Sequence, residues 1–205
     1  MKIEIRDDSV MIDGYVNAVE RESKVLRNRA GKSFVERIKA GAFSRALSRA
    51  KRRSYNVKVL LNHDYGRELT STKDATTKIY EDTIGLRCQC EIRDAEVVEL
   101  AKAGNLAGWS FGFISLRESE IGKTPGEIPI REVRDLDLEE VSILDKTRIP
   151  AYDGTSIEVR DADPDDMIEY RALDDEIETV DNSKKEEAPT FDNHDYENRY
   201  LSALI

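Results

Sequence analysis

Alternating apolar and polar residues recur along most of the chain, and this period of two is typical of β-strands with one buried face. Charged or Gly- and Pro-containing stretches at 21–33 and 118–130 predict loops. We predict two strands joined by a turn within 2–19, and further strands at 55–63, 76–80, 85–92, 106–113 and 136–144.

Apolar residues with helical spacing occur in two segments of this strand-rich region. From Gly41, the side chains of Phe43, Ala46 and Leu47 share one face, and a second helix at 95–103 ends at Gly104 as its C-cap. The basic residues of the first helix suit a solvated helix C-terminus, with contact to nucleic acid as the alternative. We predict a mainly β fold of the α+β class, a barrel or sandwich with helices packed outside.

The predicted strand at 106–113 has one aromatic face and one face of small residues. These faces consist of Trp109, Phe111 and Phe113, and of Gly108, Ser110 and Gly112. The aromatic face can anchor the strand in a core, while the glycines let another backbone come close to the serine hydroxyl. The strand can therefore present Ser110 to an extended peptide, although such a motif alone is more often a strand edge without chemistry.

The charge of the 205-residue chain is concentrated at its C-terminal end. The net charge is −10, and residues 161–205 hold 15 Asp and Glu against 4 Lys and Arg, a net of −11, which leaves +1 for residues 1–160. The composition is 39% hydrophobic and 36% charged. No apolar run approaches the roughly 20 residues that a membrane helix needs. The N-terminus also lacks a signal-peptide pattern, so we expect a cytosolic location without membrane contact.

The two cysteines, Cys88 and Cys90, lie two positions apart on a predicted strand. Their side chains point the same way, which is a poor geometry for a disulfide bond. Two thiols without nearby histidine are also too few for a structural zinc site. We expect free, buried or half-buried thiols, and neither a metal ion nor a cofactor.

A serine needs a base to become nucleophilic at neutral pH, and the base needs an orienting partner. Only two histidines are present. His194 lies in the acidic C-terminal segment, whereas His63 ends an apolar strand and is predicted to share a face with Val57, Val59 and Leu61. The pairing of His63 with Ser110 is therefore the candidate catalytic pair.

Three carboxylates are candidates for the orienting acid. Asp64 adjoins His63 but is predicted to point to the opposite face of that strand. Glu139 and Glu140 lie within the apolar strand 136–144, and Glu140 is predicted to share a face with Leu136 and Leu138. A carboxylate held inside an apolar strand needs a partner, which an imidazole N–H supplies. We therefore favour Glu140.

Six motifs occur along the chain in a specific order. They are Gly41-Ala-Phe43, Leu61-Asn-His-Asp64, Ile84-Gly-Leu86, Gly104-Asn-Leu-Ala-Gly-Trp-Ser-Phe-Gly-Phe113, Leu138-Glu-Glu-Val-Ser-Ile143 and Ile149-Pro-Ala151. In this order and spacing, residues 10–155 resemble the prohead proteases of tailed bacteriophages, the capsid maturation serine proteases, which are related in fold to the herpesvirus assemblins. Ala40 stands where that family often has proline. This difference concerns a turn and involves no candidate catalytic residue.

The resemblance implies a closed β-barrel surrounded by helices, spanning residues 1–158. It also implies Ser110 as nucleophile, His63 as base and Glu140 as the third member of a catalytic triad. The implied substrates are the scaffolding segment of the major capsid protein and then the protease itself. The implied setting is the inside of the immature capsid in the host cytoplasm. The implied partners are the capsid protein, the portal or shell interior and a second copy of the chain, without specific nucleic acid.

Residues 159–205 are predicted to form an acidic tail. Asp163 and Pro164 suit the start of a helix, and apolar residues then follow at helical spacing over 164–180. Residues 181–195 are predicted to be a flexible linker, and 196–205 an apolar docking peptide or a frayed terminus.

Two other functions remain compatible with the sequence. One is a non-catalytic capsid-assembly or scaffolding protein with the same fold, and the other is a β-barrel binding module unrelated to capsids. Substitution of Ser110 separates the peptidase from the assembly protein.

Overall fold

The computed structural model describes residues 1–28, 30–122, 127–147, 168–173 and 176–183. Its helices are α1 (Ala42–Arg52) and α2 (Ala95–Lys102). Its strands are β1 (Lys2–Ile5), β2 (Val10–Ala18), β3 (Leu26–Arg27), β4 (Ser33–Ile38), β5 (Lys58–Leu61), β6 (Glu68–Ser71), β7 (Lys78–Glu81), β8 (Gly85–Ile92), β9 (Leu106–Ile121), β10 (Ile130–Asp145), β11 (Glu169–Ala172) and β12 (Glu178–Asp181).

The strands form two sheets. The first has the order β12-β1-β2-β8-β7, and the second has the order β11-β9-β10-β4-β3. In the second sheet β10 also pairs with β5, which in turn pairs with β6. The central strand β10 is long enough to hold β4 at its first residues and β5 at its last ones, both in parallel. The end of β10 and the end of β5 therefore come together.

The core lies where the aromatic face of β9 meets the first sheet. Trp109, Phe111 and Phe113 are buried in one cluster with side chains from β1, β2 and β8, as the alternation in the sequence predicts. Gly14 of β2 makes room for this packing, because a β-carbon there would lie 3.0 Å from Trp109 Nε1. Both thiols, Cys88 and Cys90, are free and buried, also as predicted.

The fold is mainly β with two helices and belongs to the predicted α+β class, but the predicted closed barrel is wrong. Within the described ranges no ladder of backbone hydrogen bonds closes the two sheets into one. The sheets instead meet through side chains, and the large rings of Trp109 and Phe111 fill the space between them. Sheets packed in this way remain separate layers with edge strands of their own.

The two helices match their predicted positions closely. Helix α1 contacts both sheets, at β10 and β7, and α2 contacts β1 and β2. The predicted basic cluster of α1 is largely engaged with β10, where Arg49 lies 3.0 Å from Asp135 and 2.7 Å from Asp137. Gly104 follows α2 with a φ of 66°, the left-handed conformation expected of a C-cap glycine.

Several predicted loops contain strands. The segment 21–33 includes β3, and Glu22 forms a bridge with Arg37 of β4. The predicted loop at 118–130 is shorter, because β9 continues to Ile121 and pairs with the beginning of β10. Polar side chains support this extension, since Arg131 Nε donates to Glu118 over 2.8 Å.

The helix predicted over 164–180 is wrong for the described part of that segment. Residues 169–172 form β11 at the edge of the second sheet, and residues 178–181 form β12 at the edge of the first. The exposed edges of β9 and β1 offer backbone partners that helical periodicity in the sequence does not register. The motif at 149–151, the linker beyond 183, the terminal peptide and His194 lie outside the described residues. The boundary at 158 stays a prediction.

No helix within the described ranges is long and apolar enough to cross a membrane.

The tightest backbone approach predicts a stability effect at Gly85. A β-carbon there would lie 2.0 Å from the backbone oxygen of Asn17, which cannot swing away as a side chain can. We expect Gly85→Ala to lower the free energy of unfolding by roughly 1–3 kcal/mol or more, measured by urea denaturation. The matched control is Gly66→Ala, whose added methyl meets only the exposed side chain of Asp64. Equal losses in the two variants would contradict the packing described for β2 and β8.

Candidate active site

Ser110 lies on β9 directly opposite Ser142 of β10, and Gly112 lies opposite Glu140. Directly opposed residues of an antiparallel pair project their side chains to the same face of the sheet. Ser110, Ser142 and Glu140 therefore share one face, while the aromatic residues of β9 occupy the other. The side chains of all three are fully buried.

A β-bulge brings Glu140 to this face. The pairing runs Leu138 to Phe113 and then Glu140 to Gly112, so Glu139 is the additional residue. An uninterrupted strand would place Glu139 opposite Gly112 and would leave Glu140 on the face of Leu138. The predicted sharing of one face by Glu140, Leu136 and Leu138 is therefore wrong. A bulge redirects the side chains that follow it, and bulges are frequent beside active sites.

His63 reaches the site through a turn and not through a strand. The predicted strand 55–63 ends at Leu61, and the φ angles of Asn62 and His63 are 55° and 59°. This left-handed conformation is uncommon for residues other than glycine and is held by neighbouring contacts. The Asn62 side chain exchanges hydrogen bonds with Asp145, over 2.7 Å to the carboxylate and 3.0 Å from the backbone N–H.

The imidazole of His63 and the carboxylate of Glu140 are in direct contact. His63 Nδ1 lies 2.8 Å from Glu140 Oε1, and His63 is only 4% exposed. An ionised carboxylate only accepts hydrogen bonds, so Nδ1 carries the proton and Nε2 is left as the basic nitrogen. This arrangement fixes the orientation and the tautomer of the ring.

Ser142 holds both partners of this pair. Its hydroxyl donates to Glu140 Oε2 and accepts the backbone N–H of His63 over 3.1 Å. Sequence reasoning missed this residue, although it stands two positions after Glu140 and on the same face. A polar residue at that spacing in an otherwise apolar strand is the signal that could have identified it.

The other two candidate acids have different surroundings. Asp64 is exposed, and its carboxylate accepts the backbone N–H of Gly66 over 2.9 Å. Glu139 is half-buried at the bulge, where its backbone carbonyl accepts the hydroxyl of Tyr55 over 2.7 Å. Of the three carboxylates, Glu140 is the one in hydrogen-bond contact with the His63 ring.

The hydroxyl of Ser110 donates to the backbone carbonyl of Arg171 over 2.8 Å. A hydroxyl has a single proton, so this contact uses the one hydrogen that Ser110 can donate. Beside it, the ring of Tyr170 lies with its centroid 4.4 Å from that of His63. Strand β11 therefore lies along the edge of β9 beside Ser110, and its Tyr170 ring packs over the face that bears Ser110 and Glu140, a feature that the predicted helix did not anticipate.

Gly112 allows these groups to come so close. A β-carbon on Gly112 would lie 2.8 Å from Glu140 Oε1 and 2.9 Å from a ring carbon of Tyr170. The absence of a side chain therefore gives room to both the carboxylate and the covering strand.

A buried ion cluster adjoins the site. Burial alone would raise the pKa of Glu169, but the hydrogen bond from Arg131 and the charge of Arg171 outweigh it and lower that pKa. For Arg171, burial works against the charged form, but the charge and hydrogen bond of Glu36 outweigh it and raise its pKa. Both shifts favour the charged forms of Glu169 and Arg171.

A hydroxyl, an imidazole and a carboxylate gathered at one face of a sheet are the chemical groups of a serine peptidase. The family model of the caudovirus prohead serine protease matches residues 1–169, and the chain therefore belongs to this family. Membership indicates a serine peptidase with a role in capsid maturation that interacts with the capsid protein or scaffold, inside the procapsid in the host cell. Comparisons with curated proteins and with solved structures gave no significant match.

The support that Ser142 gives to the buried pair predicts a stability loss. Ser142→Ala removes a hydrogen bond to a buried carboxylate, which we expect to lower the free energy of unfolding by about 1–3 kcal/mol. Urea denaturation measures the difference. The control is Ser115→Ala on β9, where the hydroxyl bonds to Glu118 near the surface; we expect a change within about 0.5 kcal/mol. An unchanged free energy of unfolding in Ser142→Ala would show that this hydroxyl does not support Glu140.

Proposed function

We propose that Ser110, His63 and Glu140 form the catalytic triad of an endopeptidase that cleaves the scaffolding segment of the major capsid protein and itself. The observation that carries this proposal is the buried contact between His63 and Glu140 on the sheet face that bears Ser110. A buried imidazole paired with a carboxylate is suited to act as a general base toward a neighbouring hydroxyl.

Each group has one role in the proposed reaction. His63 Nε2 takes the proton of Ser110 as the serine oxygen bonds to the carbonyl carbon of the substrate. The carboxylate of Glu140 stabilises the imidazolium that forms, and Ser142 holds that carboxylate in place. His63 then gives the proton to the leaving amine, and water hydrolyses the resulting acyl-enzyme by the same route.

The substrate part of the proposal rests on family membership and on the shape of the serine-bearing strand. The capsid protein or its scaffold is the interaction that the family implies. The edge of β9 accepts an extended segment as an added antiparallel strand, which β11 does in this structure. An unfolded scaffolding segment can adopt the same extended form.

Substitution of each triad member tests the peptidase against a non-catalytic assembly protein. During co-expression with the major capsid protein of the same phage, we expect Ser110→Ala and His63→Ala to abolish processing. Glu140→Gln replaces the carboxylate with an uncharged amide, which can donate to Nδ1 and does not stabilise the imidazolium, so we expect processing to slow by roughly 10²–10⁴-fold. The processed band is followed on gels, with thermal melts to establish folding.

Two neighbouring carboxamide variants are the controls for the acid. Glu139→Gln and Asp64→Asn are expected to process capsid protein near the wild-type rate. The Asp64 carboxylate bonds to the backbone N–H of Gly66, and Glu139 bonds to Tyr55 through its backbone carbonyl. Processing by Ser110→Ala at the wild-type rate would refute the peptidase. A stronger defect in Asp64→Asn than in Glu140→Gln would refute the choice of acid.

A further inference from the structure

Strand β11 lies beside the serine-bearing strand in the manner of a bound peptide. It pairs antiparallel with β9, with Tyr170 opposite Gly112 and Ala172 opposite Ser110. The backbone N–H of Leu173 continues the pairing by donating to the backbone carbonyl of Trp109 over 3.2 Å. Addition of an extended segment to a free strand edge is a common way of recognising peptides, because the backbone provides affinity and side-chain pockets provide selectivity.

The backbone carbonyl next to the Ser110 hydroxyl belongs to Arg171, at 2.8 Å. In a serine peptidase the carbonyl that faces the nucleophile belongs to the residue before the bond that is cut. The bond placed at the site is therefore the amide between Arg171 and Ala172. The preceding residue, Tyr170, packs its ring against that of His63.

The side chain of Arg171 is buried between a carboxylate and an aromatic ring. Its Nε lies 2.7 Å from Glu36 Oε1, and a terminal guanidinium nitrogen lies 2.9 Å from Glu36 Oε2. Its guanidinium carbon lies 5.4 Å from the centre of the Phe113 ring, and Arg171 is only 9% exposed. A two-pronged contact with a carboxylate over an aromatic face matches the planar shape of a guanidinium.

Glu36 belongs to β4, in the second sheet, far from the C-terminal segment in sequence. It is 4% exposed. Its Oε2 also accepts from Arg131, over 2.9 Å, whereas the hydrogen bond described for Oε1 comes from Arg171. A buried carboxylate with one oxygen directed at the incoming side chain favours a cation at that position and disfavours an anion.

From this geometry we infer that β11 occupies the substrate cleft of the same chain, and that Glu36 makes the cleft selective for arginine or lysine immediately before the cleaved bond. The inference rests on the proposed role of Ser110 as nucleophile. In the cis reaction, the Ser110 oxygen bonds to the carbonyl carbon of Arg171 and the bond to Ala172 nitrogen breaks. That nitrogen receives the serine proton through His63, and water then releases Arg171 with a free carboxylate.

The same contact has a consequence for other substrates. Ser110 is fully buried while β11 is in place, so a capsid segment reaches it only after β11 has left or has been cut. The C-terminal segment thus acts as a competitor in the cleft until it is removed.

Self-cleavage of the full chain tests the position of the bond. Intact mass spectrometry of wild type after incubation is expected to show fragments 1–171 and 172–205, while Ser110→Ala stays whole. Arg171→Lys is expected to be cut, and Arg171→Glu to be cut at least about ten-fold more slowly. The control is Arg93→Gln. It is expected to be cut like wild type, because this arginine contacts Asp8 and Glu91, away from the second sheet.

Peptides separate selectivity from any structural role of Arg171. After self-cleavage, wild type is given fluorogenic peptides that carry the sequence of residues 168–173 with Arg, Lys, Gln or Glu at the position of Arg171. We expect kcat/KM for Arg and Lys to exceed that for Glu by at least about ten-fold, and this ratio to fall in Glu36→Gln. The control Glu22→Gln, at an exposed pair with Arg37, keeps the ratio.

The outcomes distinguish this inference from the proposed function. Cleavage that depends on Ser110 but leaves new C-termini other than Arg or Lys overturns the pocket assignment and leaves the peptidase intact. A chain that processes capsid protein yet remains whole at Arg171 also overturns it. The absence of any cleavage that depends on Ser110, in the chain, the peptides and the capsid protein, refutes the proposed function itself.

Discussion

The hydrogen bond between the buried carboxylate of Glu140 and the ring of His63 is the contact on which the site depends. A carboxylate without exposure to water costs several kcal/mol unless its oxygens are satisfied. Here one oxygen contacts the imidazole and the other accepts the hydroxyl of Ser142. The parallel pairing of β5 with the end of β10 makes this possible, because it brings the turn after Leu61 to the strand that carries Glu140.

Local patterns in the sequence were sufficient for much of the fold. The alternation over 106–113 predicts which residues of β9 enter the core, because a strand with bulky and small sides has one way to be buried. Helical spacing and Gly104 predict α2 almost to its ends. The orientation of Cys88 and Cys90 on one strand predicts free thiols. The choice of Ser110 and His63 as candidates needed only the chemistry of a nucleophile and the scarcity of histidine.

Features that depend on pairing between distant segments could not be predicted in this way. The bulge at Glu139 exists only in relation to β9, so simple alternation assigned Glu140 to the wrong face although the residue itself was selected. The left-handed turn at His63 depends on contacts with β10. The helical spacing after Pro164 is real in the sequence, but the open edges of β9 and β1 accept β11 and β12 from this segment instead. The same open edge of β9 is what allows β11 to lie against Ser110.

The tautomer of His63 is the property that links this geometry to chemistry, and nitrogen NMR of the imidazole measures it directly. With only two histidines in the chain, a His194→Gln variant assigns the signals. We predict that the neutral ring of His63 carries its proton on Nδ1 in wild type, and that Glu140→Gln shifts it toward Nε2, because an amide can donate to Nδ1. A proton on Nε2 in wild type, or an unchanged tautomer in Glu140→Gln, would contradict the account.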